Sequence, residues 1–462
     1  MKQCLIDNNF NIYNDLDVPE KLARKTHLRY FGREVSENDL PIDPFKVLKD
    51  SGAIYGIMDF DKLEGFYLLP EQDTSEPAFI GINKNRPVAR QRFTAAHELC
   101  HHLKDNDTIV CEFGDSTPIE VFANKFSSEF LMPTVILKDM LEARDVTEGE
   151  LDKILELSIQ FGMSFHATLI KVSNVLGWGH SSKEVKRLAA KYKPSKKREE
   201  KGLDNDISLY KQVLDSYQFI KIKPPKKIKT DFLRYVITND HRMENGSLSE
   251  ERISEILALI RINGVNSVRK SLNENETEVI GQYRMYEKIF EEIPVKKSYT
   301  SFLGLHRKLY ECAPFPEVGG CFREVTARIN GTSVKTTNPK KIGLEVYSVG
   351  EQSDYYIYHS FENYISVVVR AFCQLHHNLT VIHPFQDGNG RVARAFLNQQ
   401  LLSISVPPIF ILEKEKRDYR IGLEELDFSA EVNCDKLFEF IIRKIINNYS
   451  IFIPSIEEND DN

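Results

Sequence analysis

The sequence predicts a two-domain α+β chain: an N-terminal half of mixed helices and strands, then a mainly α-helical half with a small β-hairpin. Three observations lead there. A histidine pair at helical spacing, His97-Glu98-Leu99-Cys100-His101, follows a strand-like alternation from Phe79 to Ile82. A twelve-residue stretch, HPFQDGNGRVAR from His383 to Arg394, interrupts two long apolar patterns of helical period. Between them, Lys183 to Lys201 carries nine basic and three acidic residues around a proline, with almost nothing to bury.

Composition sets the outer limits. A chain of 462 residues, 41% hydrophobic and 28% charged, is long enough for two or three cores. A net charge of −7 gives the whole protein no reason to coat DNA or an anionic membrane. The cysteines (Cys4, Cys100, Cys111, Cys312, Cys321, Cys373, Cys434) are odd in number and form no CxxC pair, which fits reduced thiols rather than a disulfide frame or a zinc knuckle. The N-terminus shows no signal-like apolar run and no later stretch approaches membrane-spanning length. A cytoplasmic location is expected, with no membrane partner. The basic stretch reads as a linker, giving a first domain over 1–182, a linker over 183–205, a second domain over 206–455 and an acidic tail over 456–462. A second basic run, Lys221 to Lys229, lacks interleaved aromatics and reads as a soluble connector.

In the first domain a helix is expected from about Val88. Four residues make about one turn, so His97 and His101 share a face and can bind one metal ion. Glu98 sits roughly 100° round and can take a proton from a water on that metal. HExxH needs a third ligand. The stretch STPIEVFANKFSSEFLMP starts a helix with Thr117 at the N-cap and Pro118 first. Glu120 and Glu129 compete there, and at nine residues apart they face opposite sides of their helix. Glu120 has the spacing of a capping box with Thr117, and Glu129 lies near the apolar stripe Phe122, Phe126, Phe130.

The run RFTAAHELCHHL, followed by the glutamates and LMP of the next helix, resembles the ImmA/IrrE family of metallopeptidases over roughly residues 20 to 180. The resemblance implies a zincin-like fold, a zinc ion held by His97, His101 and Glu120, Asn124 behind the ligands, and Glu98 as general base. Cys100 stands where the family commonly has glycine and reads as a small buried residue, although a thiol beside a metal is open to oxidation. His102 points off the ligand face and is expected to be structural. Two further helices, joined at Gly162-Met163-Ser164, have the outline of a DNA reader. The second offers only His166, Lys171 and Asn174 as polar contacts, so packing rather than DNA binding is expected.

In the second domain the stretch from His383 is a loop between buried helices. Asp387-Gly388-Asn389-Gly390 supplies backbone N–H groups at a helix start, where the dipole favours an anion. Arg391 and Arg394, three apart, share its first turn and can clamp phosphate oxygens. Asp387 adds a hard oxygen ligand for Mg²⁺, and Phe385 anchors the loop. His383 is a base for a nucleophile brought by the substrate.

HPFxDGNGRxxR is the motif of the Fic family, matched without a change, and the similarity covers about residues 207 to 450. It implies transfer of the AMP part of ATP to a hydroxyl side chain of a target protein. His383 would be the base, Asp387 the Mg²⁺ ligand, Gly388, Asn389 and Gly390 the anion hole, and Arg391 and Arg394 the partners of the β- and γ-phosphates. The Asn330-Gly331 pair between alternating strands falls where the family has a flap that docks targets by strand addition. Asp240 to Leu257 resembles the family's inhibitory segment. Glu244 matches its glutamate, while the position four before it, usually serine or threonine, is Asp240. Tyr419 lies where the family lines the nucleotide pocket.

The expected whole is a bifunctional protein: a Fic adenylyltransferase using ATP and Mg²⁺, joined to a zinc endopeptidase that cuts a regulatory partner, such as a repressor or antitoxin, in a toxin–antitoxin, stress or mobile-element setting. The alternative is that one half is catalytic and the other a sensor or docking module.

Overall fold

The computed structural model describes residues 18–69, 77–105, 108–112, 117–203, 206–216, 226–244, 246–329, 334–424 and 434–449. The Asn330-Gly331 turn, Asn245 and the 456–462 tail lie outside them. The chain divides into two compact units, Met1–Gln218 and Phe219–Asn462. Among the described residues no helix is long and apolar enough to cross a membrane.

The first unit is α+β. Its helices are α1 (Pro19–Phe31), α2 (Pro44–Asp50), α3 (Val88–Lys104), α4 (Pro118–Leu131), α5 (Thr134–Ala143), α6 (Leu151–Phe161), α7 (Phe165–Leu176), α8 (Ser182–Tyr192), α9 (Pro194–Glu200) and α10 (Ile207–Ser216). Its strands are β1 (Ile54–Met58), β2 (Leu63–Leu68), β3 (Phe79–Asn83) and β4 (Ile109–Glu112), in the order β1-β3-β2-β4. β1 runs parallel to β3, and β2 runs antiparallel to both β3 and β4. The helix that carries the histidine pair, α3, is buried on nearly every side because it lies between the sheet and α4.

Arg92 shows how α3 is pinned. Its fully buried guanidinium donates to the carbonyl of Gly162 at 3.1 Å and of Ile42 at 2.7 Å, and also to Gln212 Oε1. Through Gln212, α10 is tied back to the first unit, and Tyr55 Oη donates to Val213 O at 3.1 Å. The first unit therefore extends through α10, beyond the basic stretch. That stretch is itself folded, as α8 and α9. α10 stays with the first unit because it buries Leu209, Val213 and Leu214.

The second unit is helical: α11 (Lys226–Met243), α12 (Glu250–Asn263), α13 (Val265–Arg269), α14 (Glu274–Glu291), α15 (Ser298–Tyr310), α16 (Pro339–Tyr358), α17 (Ile365–Ile382), α18 (Asn389–Ser403), α19 (Lys416–Glu424) and α20 (Asp435–Tyr449). α17 and α18 pack against each other and against α16. The expected hairpin is reduced, among the described residues, to one antiparallel bridge between Arg328 and Lys335, beside a hydrogen bond from Thr336 Oγ1 to Ala327 O at 2.6 Å.

Candidate functional site

In the first unit α3 and α4 bring three side chains together. His97 Nε2 stands 2.9 Å from Glu120 Oε2, His101 Nε2 stands 3.5 Å from Glu120 Oε1, and the two Nε2 atoms are 3.0 Å apart. The far nitrogens are engaged elsewhere: His97 Nδ1 lies 3.2 Å from Asn124 Oδ1, and His101 Nδ1 lies 2.8 Å from Asp105 Oδ2. Both partners are acceptors, so each Nδ1 carries the proton and each Nε2 turns a lone pair inward. Between neutral rings two lone pairs at this distance repel unless a proton or a metal ion lies between them. The donor set fits zinc: two imidazoles and a carboxylate whose ligand atoms all lie within 4.8 Å of one another, which leaves a fourth position open.

The electrostatics agree. Burial by itself lowers the pKa of His101, yet the hydrogen bonds to Asp105 and Glu120 outweigh it and raise it to about 9. Burial pushes Glu120 up, but the bonds to His101 and His97 hold it below the usual carboxylate range. This pocket draws positive charge.

Glu98 is fully buried beside β2. A Cβ added at Gly65 would stand 2.6 Å from Glu98 Oε1, so the strand makes room for this carboxylate only where it has no side chain. Glu129 is elsewhere: it accepts from Thr134 N at 2.8 Å, from Thr134 Oγ1 at 2.5 Å and from Lys171 Nζ at 2.8 Å. His102 turns to Tyr67, whose hydroxyl lies 3.3 Å from its Nδ1. Cys100 is buried, and burial raises its thiol well above the usual range, which makes it a poor nucleophile. Sequence reasoning missed Asp105 and Gly65. An acid four residues after His101 was a readable signal for the first. The second needs the sheet.

In the second unit His383 caps α17 in the left-handed region, with φ 48° and ψ 60°. A non-glycine residue is held there at a cost, and Arg323 does the holding. Its Nε donates to His383 O at 2.6 Å, while Nη2 donates to Thr337 O at 2.6 Å on the far side of the flap bridge. Burial, then Arg323, lowers the pKa of His383, which favours the neutral form of the half-buried imidazole.

The loop is stapled by Asn389, which accepts from Phe385 N at 2.8 Å and donates to Phe385 O at 2.8 Å. Phe385 is fully buried and stacks on His306 with ring centroids 3.7 Å apart. Because His306 Nδ1 accepts from Gly320 N at 2.8 Å, its Nε2 donates to Asp387 O at 3.1 Å. Gly388, at φ 75°, turns the chain into α18, whose first N–H groups lack helical partners.

Around that turn, Asp387 exposes its carboxylate and accepts from Tyr310 Oη at 2.6 Å and from Arg391 Nη2 at 3.2 Å. Arg391 is buried, with Glu278 Oε2 3.5 Å from its Nη1. Arg394 donates from Nε to Asp240 Oδ1 at 2.7 Å and from Nη2 to Glu244 Oε1 at 2.9 Å. Glu244 reaches Gly390 as well: a Cβ there would meet its Oε1 at 3.1 Å. Tyr419 is buried with its hydroxyl 2.6 Å from His376 Nε2. Sequence reasoning missed Tyr310, His306, Arg323 and Glu278, all outside the twelve-residue stretch.

The chain thus joins two sites of opposite character, one that draws a cation and one that presents a base and two arginines around a helix start. The family described as the IrrE N-terminal-like domain, Peptidase_M78, matches residues 55–173, and the Fic/DOC family matches residues 298–401. This chain carries an IrrE N-terminal-like domain followed by a Fic domain. Among curated relatives, a protein adenylyltransferase Fic of Nematostella vectensis is 46% identical over 44 residues, 10% of each chain. One of Drosophila willistoni is 26% identical over 152 residues, 32% of this chain and 29% of that protein. The chain therefore spans less than a third of either relative. Among solved structures, Fic-1 of C. elegans aligns at 16% identity and a TM-score of 0.36, covering 69% of this chain and 91% of that one. A Fic domain containing signaling protein from Bacteroides thetaiotaomicron aligns at 18% identity and a TM-score of 0.37, covering 49% and 88%.

Proposed function

We propose that the chain is a bifunctional cytoplasmic protein whose Fic domain transfers AMP from ATP to a Ser, Thr or Tyr hydroxyl of a target protein. The other half, in this reading, is a zinc-dependent endopeptidase that cuts a repressor or antitoxin-like partner in a toxin–antitoxin, stress or mobile-element setting. The observation that carries the first part is the placement of His383 on the turn that leads through Asp387 into α18, with Arg391 and Arg394 on its first turns.

In the transfer, the target hydroxyl oxygen bonds to the α-phosphorus, the bond to the bridging oxygen breaks, and pyrophosphate leaves. His383 takes the hydroxyl proton. The N–H groups of Gly388, Asn389 and Gly390 and the two guanidiniums hold the phosphate oxygens. Asp387 would hold Mg²⁺, which neutralises phosphate charge when bound. Glu244 occupies Arg394 Nη2, an atom that a γ-phosphate would otherwise use, so it acts as an inhibitor.

In the peptidase half His97, His101 and Glu120 would hold zinc, which supplies a Lewis acid when bound. Glu98 takes and returns the proton of the attacking water. The test is incubation of the full chain with labelled ATP and Mg²⁺ in a cell extract, with and without Glu244→Gly. Labelled protein, more of it with the glycine variant, is expected. No label on protein from either form would remove the transferase reading.

A further inference from the structure

Helix α16 breaks the rule that a surface helix is polar on its outer side. Its inner face buries Ile342, Val346 and Val349 against α15 and α17. Its outer face leaves Leu344 74%, Tyr347 48%, Tyr355 57% and Tyr358 71% exposed, and Phe361 and Tyr364, just past the helix end, are exposed as well. Apolar side chains scattered singly on a surface need no explanation, but four exposed on one stripe of a single helix do. Tyrosine on such a stripe suits an interface, with its large apolar ring and polar tip.

The pattern also indicates what covers it. Leu344, Tyr347, Glu351, Tyr355 and Tyr358 are spaced by three, four, four and three residues, which reads the same in both directions about Glu351. Five positions at this spacing form one narrow seam along the helix. Reversed on a second copy, the seam is complementary to itself: Leu344 meets the partner's Tyr358, and Tyr347 meets the partner's Tyr355. The ends agree in charge. Lys340 and Lys341 begin the helix and Glu362 follows its end, so an antiparallel pair sets lysines against a carboxylate, whereas a parallel pair sets like on like. Antiparallel helix dipoles favour the same choice.

We propose that the α16 face is the two-fold interface of a homodimer, with the axis at Glu351 and the two helices antiparallel. An isologous contact of this kind closes on itself and needs no third copy. It holds in place the helix against which α17 packs, the helix that His383 caps. The inference rests on neither enzymatic reading. The one unfavourable feature is Glu351 itself, whose carboxylate is hydrogen-bonded by Tyr347 and would face its twin near the axis.

Sedimentation of the full chain at micromolar concentration should show a dimer. Tyr355→Glu should raise its dissociation constant at least about tenfold while leaving the circular dichroism and melting of the chain unchanged. Lys340→Glu with Lys341→Glu should weaken the dimer, and Glu362→Lys added to that pair should restore it. Glu351→Gln should tighten it. A monomeric wild-type chain, or a dimer indifferent to Tyr355→Glu, overturns the proposal. A dimer that charge reversal does not rescue, or that Glu351→Gln weakens, overturns the antiparallel arrangement.

Discussion

Asp240 accepts a hydrogen bond from Arg394 Nε at 2.7 Å, with both side chains almost wholly withdrawn from solvent. One turn further along the chain Glu244 takes Nη2 of the same guanidinium, but its own side chain is 41% exposed. One carboxylate is an anchor and the other can leave. Burial raises the pKa of Asp240 against the pull of Arg394, whereas for Glu244 the attraction to Arg394 outweighs burial and lowers it.

Glu244→Gly should therefore increase transfer while Arg394 keeps its orientation. Asp240→Ala in that background should raise the KM for ATP by about tenfold, because the guanidinium loses the contact that aims it. Asp240→Ala alone should destabilise the second unit by about 3 kcal/mol, the usual cost of leaving a buried charge short of its partner. Steady-state kinetics and thermal denaturation check the two parts separately.

The lowered pKa of His383 sets the sign of a pH dependence. Its pKa is depressed in the fold, so the basic form persists as pH falls past the ordinary imidazole midpoint of about 6.5 and is lost only below it. The acidic limb of transfer by Glu244→Gly protein should lie under that midpoint. His383→Ala should reduce transfer by about a hundredfold or more while ATP binding, followed by calorimetry, survives.

Metal retention separates the two glutamates. One equivalent of zinc should co-purify, and after dialysis against a weak chelator Glu120→Gln should retain less of it than Glu129→Gln. The second change acts on stability instead, since Glu129 partners Lys171 and caps the start of α5. Elemental analysis and melting curves of both variants distinguish the outcomes. The reverse order would leave Glu120 as a helix-end residue only.

Gly65→Ala tests the room made for Glu98. The new Cβ would stand 2.6 Å from both Glu98 Oε1 and Thr94 Cγ2 and 2.9 Å from Gly81 O, so something must shift. Overpacking of this kind costs about 1 to 3 kcal/mol. The expected result is a chain that keeps its zinc but loses peptide cleavage, because none of the three ligands is touched. Loss of zinc together with cleavage would mean that the strand shift reaches the ligands.

The sequence by itself determined what local geometry determines. Helical period puts His97 and His101 on one face wherever α3 lies, and a loop of glycines between two apolar helices must turn at His383 and restart at Asn389. Ser164 caps α7 as its spacing demands, accepting from Ala167 N at 3.1 Å. Only tertiary packing decided which of Glu120 and Glu129 faces the histidines, because helix period separates the two but does not say which side α3 covers. It likewise turned Asp240 into a ligand of an arginine 154 residues away and recruited Tyr310 to Asp387 across 77 residues. Spacing within one element is fixed by the backbone, so it is legible in the sequence. Contacts between elements depend on which faces bury each other, and that is settled only when the whole core packs.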